Sequence, residues 1–398
     1  VRKYKFLLLA VLMIWFQAIY AQYESDERAT IRFEEGLGFF APDTSLGVNL
    51  RFRMQNLLMV TSESHQDLDI SAIDARVRRL RLRFDGFIGK SKKLTYYLQL
   101  AFSREDQDWD NTHIPNIVRD AMVYYNFNPH FYIGLGQGKL PGNRQRIISS
   151  GQQQFLDRSL VNSIFNIDRD FGVFAYYSFG IIKIPVYLKT AITTGEGRGT
   201  LRTDKGLAYT ARIEILPLGN FHRGGDFSEG DIYREPHPKL SLAAAYCFND
   251  NSLKAFGQRG TELATGQDLQ SLFADMIFKY KGWAIETEYA SRLSDNLWVT
   301  SIEGDSVAIW TGAGVNTQIS HYFKNGYEIN ARASIAIPDK KSGSPNAEQQ
   351  VWTIGCVRYL NGHKVKVMGN INYRLVKSLT NGPSKGDWQL GFLAEIGI

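Results

Sequence analysis

Leu46-Gly-Val-Asn-Leu-Arg-Phe-Arg-Met54 is the stretch on which the fold turns. Leu46, Val48, Leu50, Phe52 and Met54 alternate with Gly47, Asn49, Arg51 and Arg53, so one face is apolar and the other small or polar. A period of two belongs to a β-strand, whose successive side chains point to opposite faces. The same alternation returns in 95–103, 207–215, 240–248, 327–337, 365–373 and 388–398. Working outward, sixteen segments carry strand character. They lie at about 46–59, 72–89, 93–104, 117–127, 131–139, 170–179, 184–193 and 206–216. The rest lie at about 239–248, 270–280, 282–291, 311–322, 327–337, 350–360, 364–374 and 387–398.

The connections alternate in length. Those at 90–92, 128–129, 180–183, 281, 323–326 and 361–363 are short, and those at 105–116, 140–169, 249–269 and 292–310 are long. The connection 217–238 is long where the alternation asks for a short one. An even strand count with short turns at one end and long loops at the other describes an outer-membrane barrel, with its turns in the periplasm. Aromatics make up 13% of the chain, and Tyr124-Tyr125, Phe131-Tyr132, Tyr176-Tyr177, Tyr322-Phe323 and Trp388 crowd strand ends. They read as girdles at headgroup depth. An open sheet edge in lipid would leave unpaired backbone groups at several kcal/mol each, so the sheet must close. The expected fold is all-β: a 16-stranded antiparallel transmembrane β-barrel over 46–398, with an inward-folded third extracellular loop.

Arg2, Lys3 and Lys5 precede the apolar run Phe6–Phe16, and Ala18-Ile-Tyr-Ala21 follows. This reads as a signal peptide over 1–21, cut before Gln22, and is too short to span a bilayer, which takes about 20 apolar residues. Residues 22–45 are then a short periplasmic segment. Removing the three basic residues of 1–21 from the chain's 46 leaves 43 basic against 40 acidic, net +3 rather than +6. No basic stripe of the kind that binds nucleic acid stands out. The seven histidines show no pair at metal-ligand spacing and no H-E-x-x-H, so neither a metal nor a cofactor is expected, and no hydrolytic triad is singled out. Cys247 and Cys356 read as ordinary strand residues. Gly134-Leu-Gly-Gln-Gly138 superficially looks like a phosphate loop, but small residues on a lumen-facing strand explain it better.

With the apolar face in lipid, the polar face lines a lumen, and sixteen strands leave room for an aqueous channel. In Arg76-Val-Arg-Arg-Leu-Arg-Leu-Arg-Phe-Asp85, the lipid face takes Leu80, Leu82 and Phe84, which sends Arg79, Arg81 and Arg83 inward. Arg76 and Arg78 have the other parity and are expected near the rim. Inward neighbours on one strand lie about 6.5–7 Å apart, so the three make a ladder, with Arg51 and Arg53 beside it. Guanidinium groups stay charged and bind phosphate or carboxylate bidentately, and rings of Arg or Lys select anions. The competing reading pairs them with inward acids such as Asp120, Glu286, Glu288 or Glu328, which would leave a merely polar lumen. The 140–169 connection carries Arg144, Arg146, Arg158 and Arg169 together with Ile147, Ile148, Phe155 and Leu160. A loop with its own apolar residues packs better inside a barrel than in water, so it is expected to fold inward and set the constriction.

Three stretches carry a family resemblance: Phe39-Phe-Ala-Pro-Asp43, Arg51-Phe-Arg-Met-Gln55 and Arg78-Arg-Leu-Arg-Leu-Arg-Phe-Asp-Gly86. With Gly136-Gln-Gly-Lys-Leu-Pro141 and Phe155-Leu-Asp-Arg-Ser-Leu160, the chain resembles the phosphate-selective porins O and P over about residues 33–180. The resemblance implies a trimeric sixteen-stranded porin whose inward third loop narrows the channel and whose lumenal arginines guide anions. By position, Arg79, Arg81 and Arg83 match the second-strand motif, and Arg158 matches the loop's Arg-Ser-Leu. The reading is a porin of the Gram-negative outer membrane, with outer-membrane lipid around it, small phosphate-like anions as permeants and a homotrimer as its assembly. The alternatives are a non-selective general porin, or a structural or secretion-associated barrel using the 217–238 segment to dock an envelope partner.

Overall fold

The computed structural model describes residues 30–33, 36–107, 115–200, 202, 204–339, 346–378 and 383–398. The signal peptide and its cleavage site lie outside the described residues. Sixteen long strands follow one another: β1 Leu46–Ser62, β2 Ile70–Ile88, β3 Leu94–Ala101, β4 Val118–Asn128, β5 Phe131–Lys139 and β6 Arg169–Ile181. Next come β7 Ile184–Thr193, β8 Ala208–Ile215, β9 Lys239–Lys254, β10 Glu262–Tyr280 and β11 Trp283–Leu293. The last five are β12 Gly312–Tyr322, β13 Tyr327–Pro338, β14 Gln349–Asn361, β15 Val365–Val376 and β16 Lys385–Gly397. Each pairs antiparallel with its neighbours, and β16 closes on β1 from Gln389 against Thr61 to Gly397 against Arg53. All sixteen expected strands are present and the barrel is closed. Two short strands, Thr30–Phe33 and Leu37–Phe40, pair with each other, and the second extends the start of β1. Among the described residues no helix is long and apolar enough to cross a membrane.

The sidedness is that of a barrel in lipid. Along β8, Ile213 is 43% exposed while its neighbour Arg212 is 1% exposed. A soluble protein would reverse that order. Lipid reverses the solvent instead, and a Lys or Arg on the outer face at mid-bilayer costs about 2–4 kcal/mol. Outer-face aromatics gather at both ends. Tyr125, Phe127 and Phe131 run side by side beside the β4–β5 turn, with centroids 4.9 and 5.2 Å apart. At the other end Trp352, Tyr373 and Trp388 form a second row, at 5.6 and 4.8 Å.

Three expectations need correction. First, the paired aromatics are not all girdle residues. Alternation turns one of each pair inward, so Tyr125, Phe131 and Tyr177 face lipid whereas Tyr124, Tyr132 and Tyr176 stack against one another on the inner face. Second, 249–269 is mostly not loop: β9 and β10 run on past the membrane as a paired ribbon and leave only 255–261 as the connection. Third, strict alternation fails twice. The register slips between Gln55 and Asn56, leaving Arg78 as an extra residue on β2, and again between Gln99 and Leu100, leaving Arg119 extra near the start of β4. A β-bulge flips the parity beyond it. Arg76 therefore shares the inner face with Leu57, and Arg78 is buried among inward groups rather than displaced to the rim.

Within 140–168 lie two short helices, α1 Arg144–Ile147 and α2 Leu160–Phe165. Ser159 caps α2, its Oγ accepting from the Asn162 N–H at 3.1 Å. Val161 and Phe165 of α2 sit in an apolar cluster with Phe174, Phe273 and Trp310. Leu156 packs with Leu57, Val357, Met368 and Leu393, which all lie on the inner face. Cys247 is buried on the inner face and Cys356 is exposed on the outer, so the wall separates the two free thiols.

Candidate functional site

The inner face divides into a filled part and an open part. On the filled part, Arg144 is fully buried: its Nε donates to Asp275 Oδ1 at 2.8 Å and its Nη2 to Glu214 Oε1 at 2.5 Å. Arg212 completes the set on the Asp275 carboxylate at 2.7 and 2.9 Å. Two cations thus meet two carboxylates, which is what lets such charges be buried. Gln145 bonds Glu288 and Gln318, and Val161 N–H donates to Ser334 Oγ at 3.3 Å. Lys366 Nζ, on β15, donates to the carbonyls of Gly151 and Gln153 at 3.1 and 2.5 Å. The 140–168 segment is therefore tied to strands all round the wall.

The long 217–238 connection meets it from the turn end. Glu229 N–H donates to Gln152 O at 2.8 Å, and Gln154 N–H donates back to Glu229 Oε2 at 2.9 Å. Lys279 holds the same connection through the carbonyls of Gly225 and Ser228 at 2.6 and 2.8 Å. Asp226, Glu229, Asp231 and Glu235 are all buried, so the acidic side chains of this segment face inward, while Leu218, Phe227 and Tyr233 stay exposed.

The open part runs along β1 to β5 as three cavities of about 430, 380 and 490 Å³. Arg81 lines all three, and Arg158 and Arg119 line the first two. Eight arginines and four carboxylates line the first. The second has five Arg and two Lys against Asp120, and the third has five Arg and Lys364 with, among the described residues, no side-chain carboxylate.

Most of these cations are held in place. Arg81 grips Asp106 through two bonds of 2.5 and 2.6 Å and donates to Ser150 Oγ at 2.7 Å. Arg119 reaches the same Asp106 at 3.0 Å. Arg78 bonds Asp157 at 2.5 Å and also pairs with Glu105, while Arg79 donates to Gln55 at 2.7 Å. Arg83 lies 2.8 Å from Asp85 and 4.4 Å over the Tyr97 ring, with Arg51 on the same Asp85 at 3.5 Å. Arg53 sits 3.0 Å from Glu395 and donates to Ser149 at 3.1 Å. The partners of the ladder are Asp85, Asp106, Asp157 and Glu395, not the Asp120, Glu286, Glu288 and Glu328 named from sequence. Asp120 is taken by Arg169, at 2.9 and 3.1 Å.

The four arginines assigned to the 140–169 connection divide. Arg144 is an anchor in the filled part. Arg146 pairs with Asp168. Arg169 opens β6 and belongs to the wall. Arg158 faces the open path, donating to the carbonyls of Gln145 and Ile148 at 2.6 and 2.9 Å. Burial, with Arg146, Arg79 and Arg81 nearby, pulls its guanidinium well below the usual range. Asp106 and Asp168 go the other way: burial opposes ionisation, but Arg119 with Arg81, and Arg146 with Arg169, hold them well below the ordinary carboxylate range. Sequence reasoning missed Arg78, Arg119 and Lys139, and it missed the inward tyrosines. Only the parity of each strand end, read through the bulges, would have found them.

A closed sixteen-stranded antiparallel barrel with a polar interior is the fold of outer-membrane porins. The profile of the family described as phosphate-selective porin O and P matches residues 48–220, the same family that the motifs resemble. No curated protein matches the sequence. In fold the chain is similar to the outer-membrane channel DcaP of Acinetobacter baumannii, at 13% identity and a TM-score of 0.56, covering 92% of this chain and 100% of that one. It is similar to OmpT of Vibrio cholerae in its trimer form, at 8% identity, 87% and 98% coverage and a TM-score of 0.52. It is also similar to an anion-selective porin from Comamonas acidovorans, at 13% identity, 88% and 99% coverage and a TM-score of 0.52. The place of such a barrel is the outer membrane of a Gram-negative bacterium.

Proposed function

We propose that this barrel is an anion-selective diffusion channel whose path follows the arginine wall of β1 to β5, narrowed by the inward 140–168 segment. The observation that carries the reading is the excess of cations over carboxylates along the whole open path, in a chain whose overall charge is small. Arg51, Arg53, Arg79, Arg81 and Arg83 form the wall that attracts the anion, and Arg158 faces them from the segment. Guanidinium groups fixed by carboxylates keep their remaining N–H groups aimed at the path, so a passing phosphate or carboxylate exchanges water for donors already in place. The assembly that fits the family resemblance is a homotrimer, the form in which the Vibrio cholerae OmpT relative is described.

One observation favours the second reading, a general porin of weak preference: Asp85, Asp106, Asp157 and Glu395 neutralise much of the ladder. Charge reversal decides between them. With Arg79→Glu, Arg81→Glu and Arg83→Glu together, the reversal potential in a planar bilayer under a KCl gradient should swing from chloride towards potassium. An ion preference that stays put would remove the arginine wall from the account.

A further inference from the structure

The middle of the three cavities differs from the other two in kind. One side of it is aromatic. Tyr132 and Tyr176 stack at 4.5 Å and 13°, Tyr124 stands edge-on to both at 5.9 and 6.2 Å, and Tyr97 and Phe227 complete the lining. Arg81, Arg83, Lys139 and Arg158 line the same cavity, with Arg83 4.4 Å over the Tyr97 ring. The glycine run explains how the rings fit. A Cβ at Gly134 would stand 2.7 Å from the Tyr124 ring, and one at Gly138 2.9 Å from Met122 Sδ. The bare strand thus makes space for an apolar surface facing the path.

Two of the cations there are held by backbone carbonyls, with no ion pair among the described residues. Arg158 donates to the carbonyls of Gln145 and Ile148, and Lys139 Nζ donates to those of Ile147 and Ile148 at 3.0 and 3.4 Å. Their charges rest on neutral dipoles beside a wall of rings. A bare inorganic anion uses only half of such a recess, because the face of an aromatic ring is the negative part of its quadrupole. A solute with an acidic group and a ring uses both halves, and a cavity of about 380 Å³ is in the range that encloses a small organic ligand.

We propose that this recess is a binding station for aromatic carboxylates, which lie against the tyrosines with the carboxylate towards Arg158 and Lys139. The inference rests on the anion-channel reading and narrows it to a substrate class. Phe227 ties the station to the 217–238 connection, its ring 4.6 Å under Lys189 Nζ. That long turn therefore supplies part of the recess.

The test uses the full barrel in a planar bilayer carrying chloride current, with benzoate and acetate added as blockers of equal charge. Benzoate should half-block at a concentration about three- to tenfold lower than acetate, the gain expected from ring stacking. Tyr124→Ala should bring the two blockers together. Phe227→Leu, which lies outside the sheet, should narrow the gap if the tyrosine variant does not assemble. Equal block by benzoate and acetate in the unaltered protein would overturn the station, as would a benzoate preference that survives both substitutions. A reversal potential that favours potassium would instead overturn the anion-channel reading on which the station depends.

Discussion

Two parts of the same inner wall carry buried arginines and use them oppositely. In the part around β8 to β13, Arg144 and Arg212 meet Glu214 and Asp275 in one closed set, and the space is filled by 140–168 and 217–238. Along β1 to β5 the arginines are steadied by Asp85, Asp106 and Asp157 yet still border open cavities. The count of arginines does not separate the two parts. What separates them is packing: the first set is sealed by 140–168 and 217–238, while the second, with Asp106 and Asp157, borders open cavities.

The largest expected effect comes from breaking the filled part. Arg144→Ala leaves Asp275 with Arg212, and Glu214 with Arg212 and Lys189 at 3.8 and 3.6 Å. Breaking one partner out of a buried set costs about 3–5 kcal/mol. The segment should loosen, raising single-channel conductance and lowering the urea midpoint, and an unchanged conductance would mean that Arg144 does not hold the segment. Next is Gly136→Val. Gly136 has φ +135°, and a Cβ there would stand 2.1 Å from Ala121 O. A side chain forced into that backbone costs about 1–3 kcal/mol, seen as a lower melting temperature of the folded band on a gel.

A smaller change sharpens the contrast from the open side. Asp106→Asn removes the carboxylate shared by Arg81 and Arg119. All three side chains are buried but border the first cavity, so the expected effect on permeation is on the order of 1 kcal/mol, a few-fold gain in chloride over potassium permeability. The smallest effect is a null one. Asp106 and Asp168 have lowered pKa values, so the stability they lend is full above the ordinary carboxylate value and is lost only as pH falls through the depressed one. With Glu105→Gln and Glu196→Gln removing the two loop carboxyls that burial raises, ion preference should hold flat from about pH 8 to about pH 5, above the usual aspartate range. A titration that remains within that window would show that these pairs are not formed.

The barrel was legible in the sequence because lipid writes a simple rule: Leu46, Val48 and Leu50 out, with Asn49 and Arg51 in, repeated through sixteen segments. The alternating loop lengths then gave sidedness. Much of the site was legible too, since Arg79, Arg81 and Arg83 stand on the inner face that their parity predicts. What escaped was whatever breaks a period of two. The extra residues at Arg78 and Arg119 change no composition and leave no local mark, but each adds a cation to the site. Adjacent aromatics such as Tyr124-Tyr125 were read as one interface feature, although a strand must split them between lipid and lumen. Salt-bridge partners from loops, Asp106 and Asp157 above all, have no sequence relation to the strands they meet.

The contrast between the two parts is tested most directly by thiol accessibility in a barrel with Cys247→Ala and Cys356→Ala. Gln99→Cys would place a thiol between the second and third cavities, and Ser334→Cys one beneath α2 in the filled part. An anionic methanethiosulfonate reagent should modify Gln99→Cys quickly, faster than a cationic one, and cut its conductance, while Ser334→Cys stays unmodified. Equal reactivity at the two positions, or faster modification at Ser334→Cys, would contradict it.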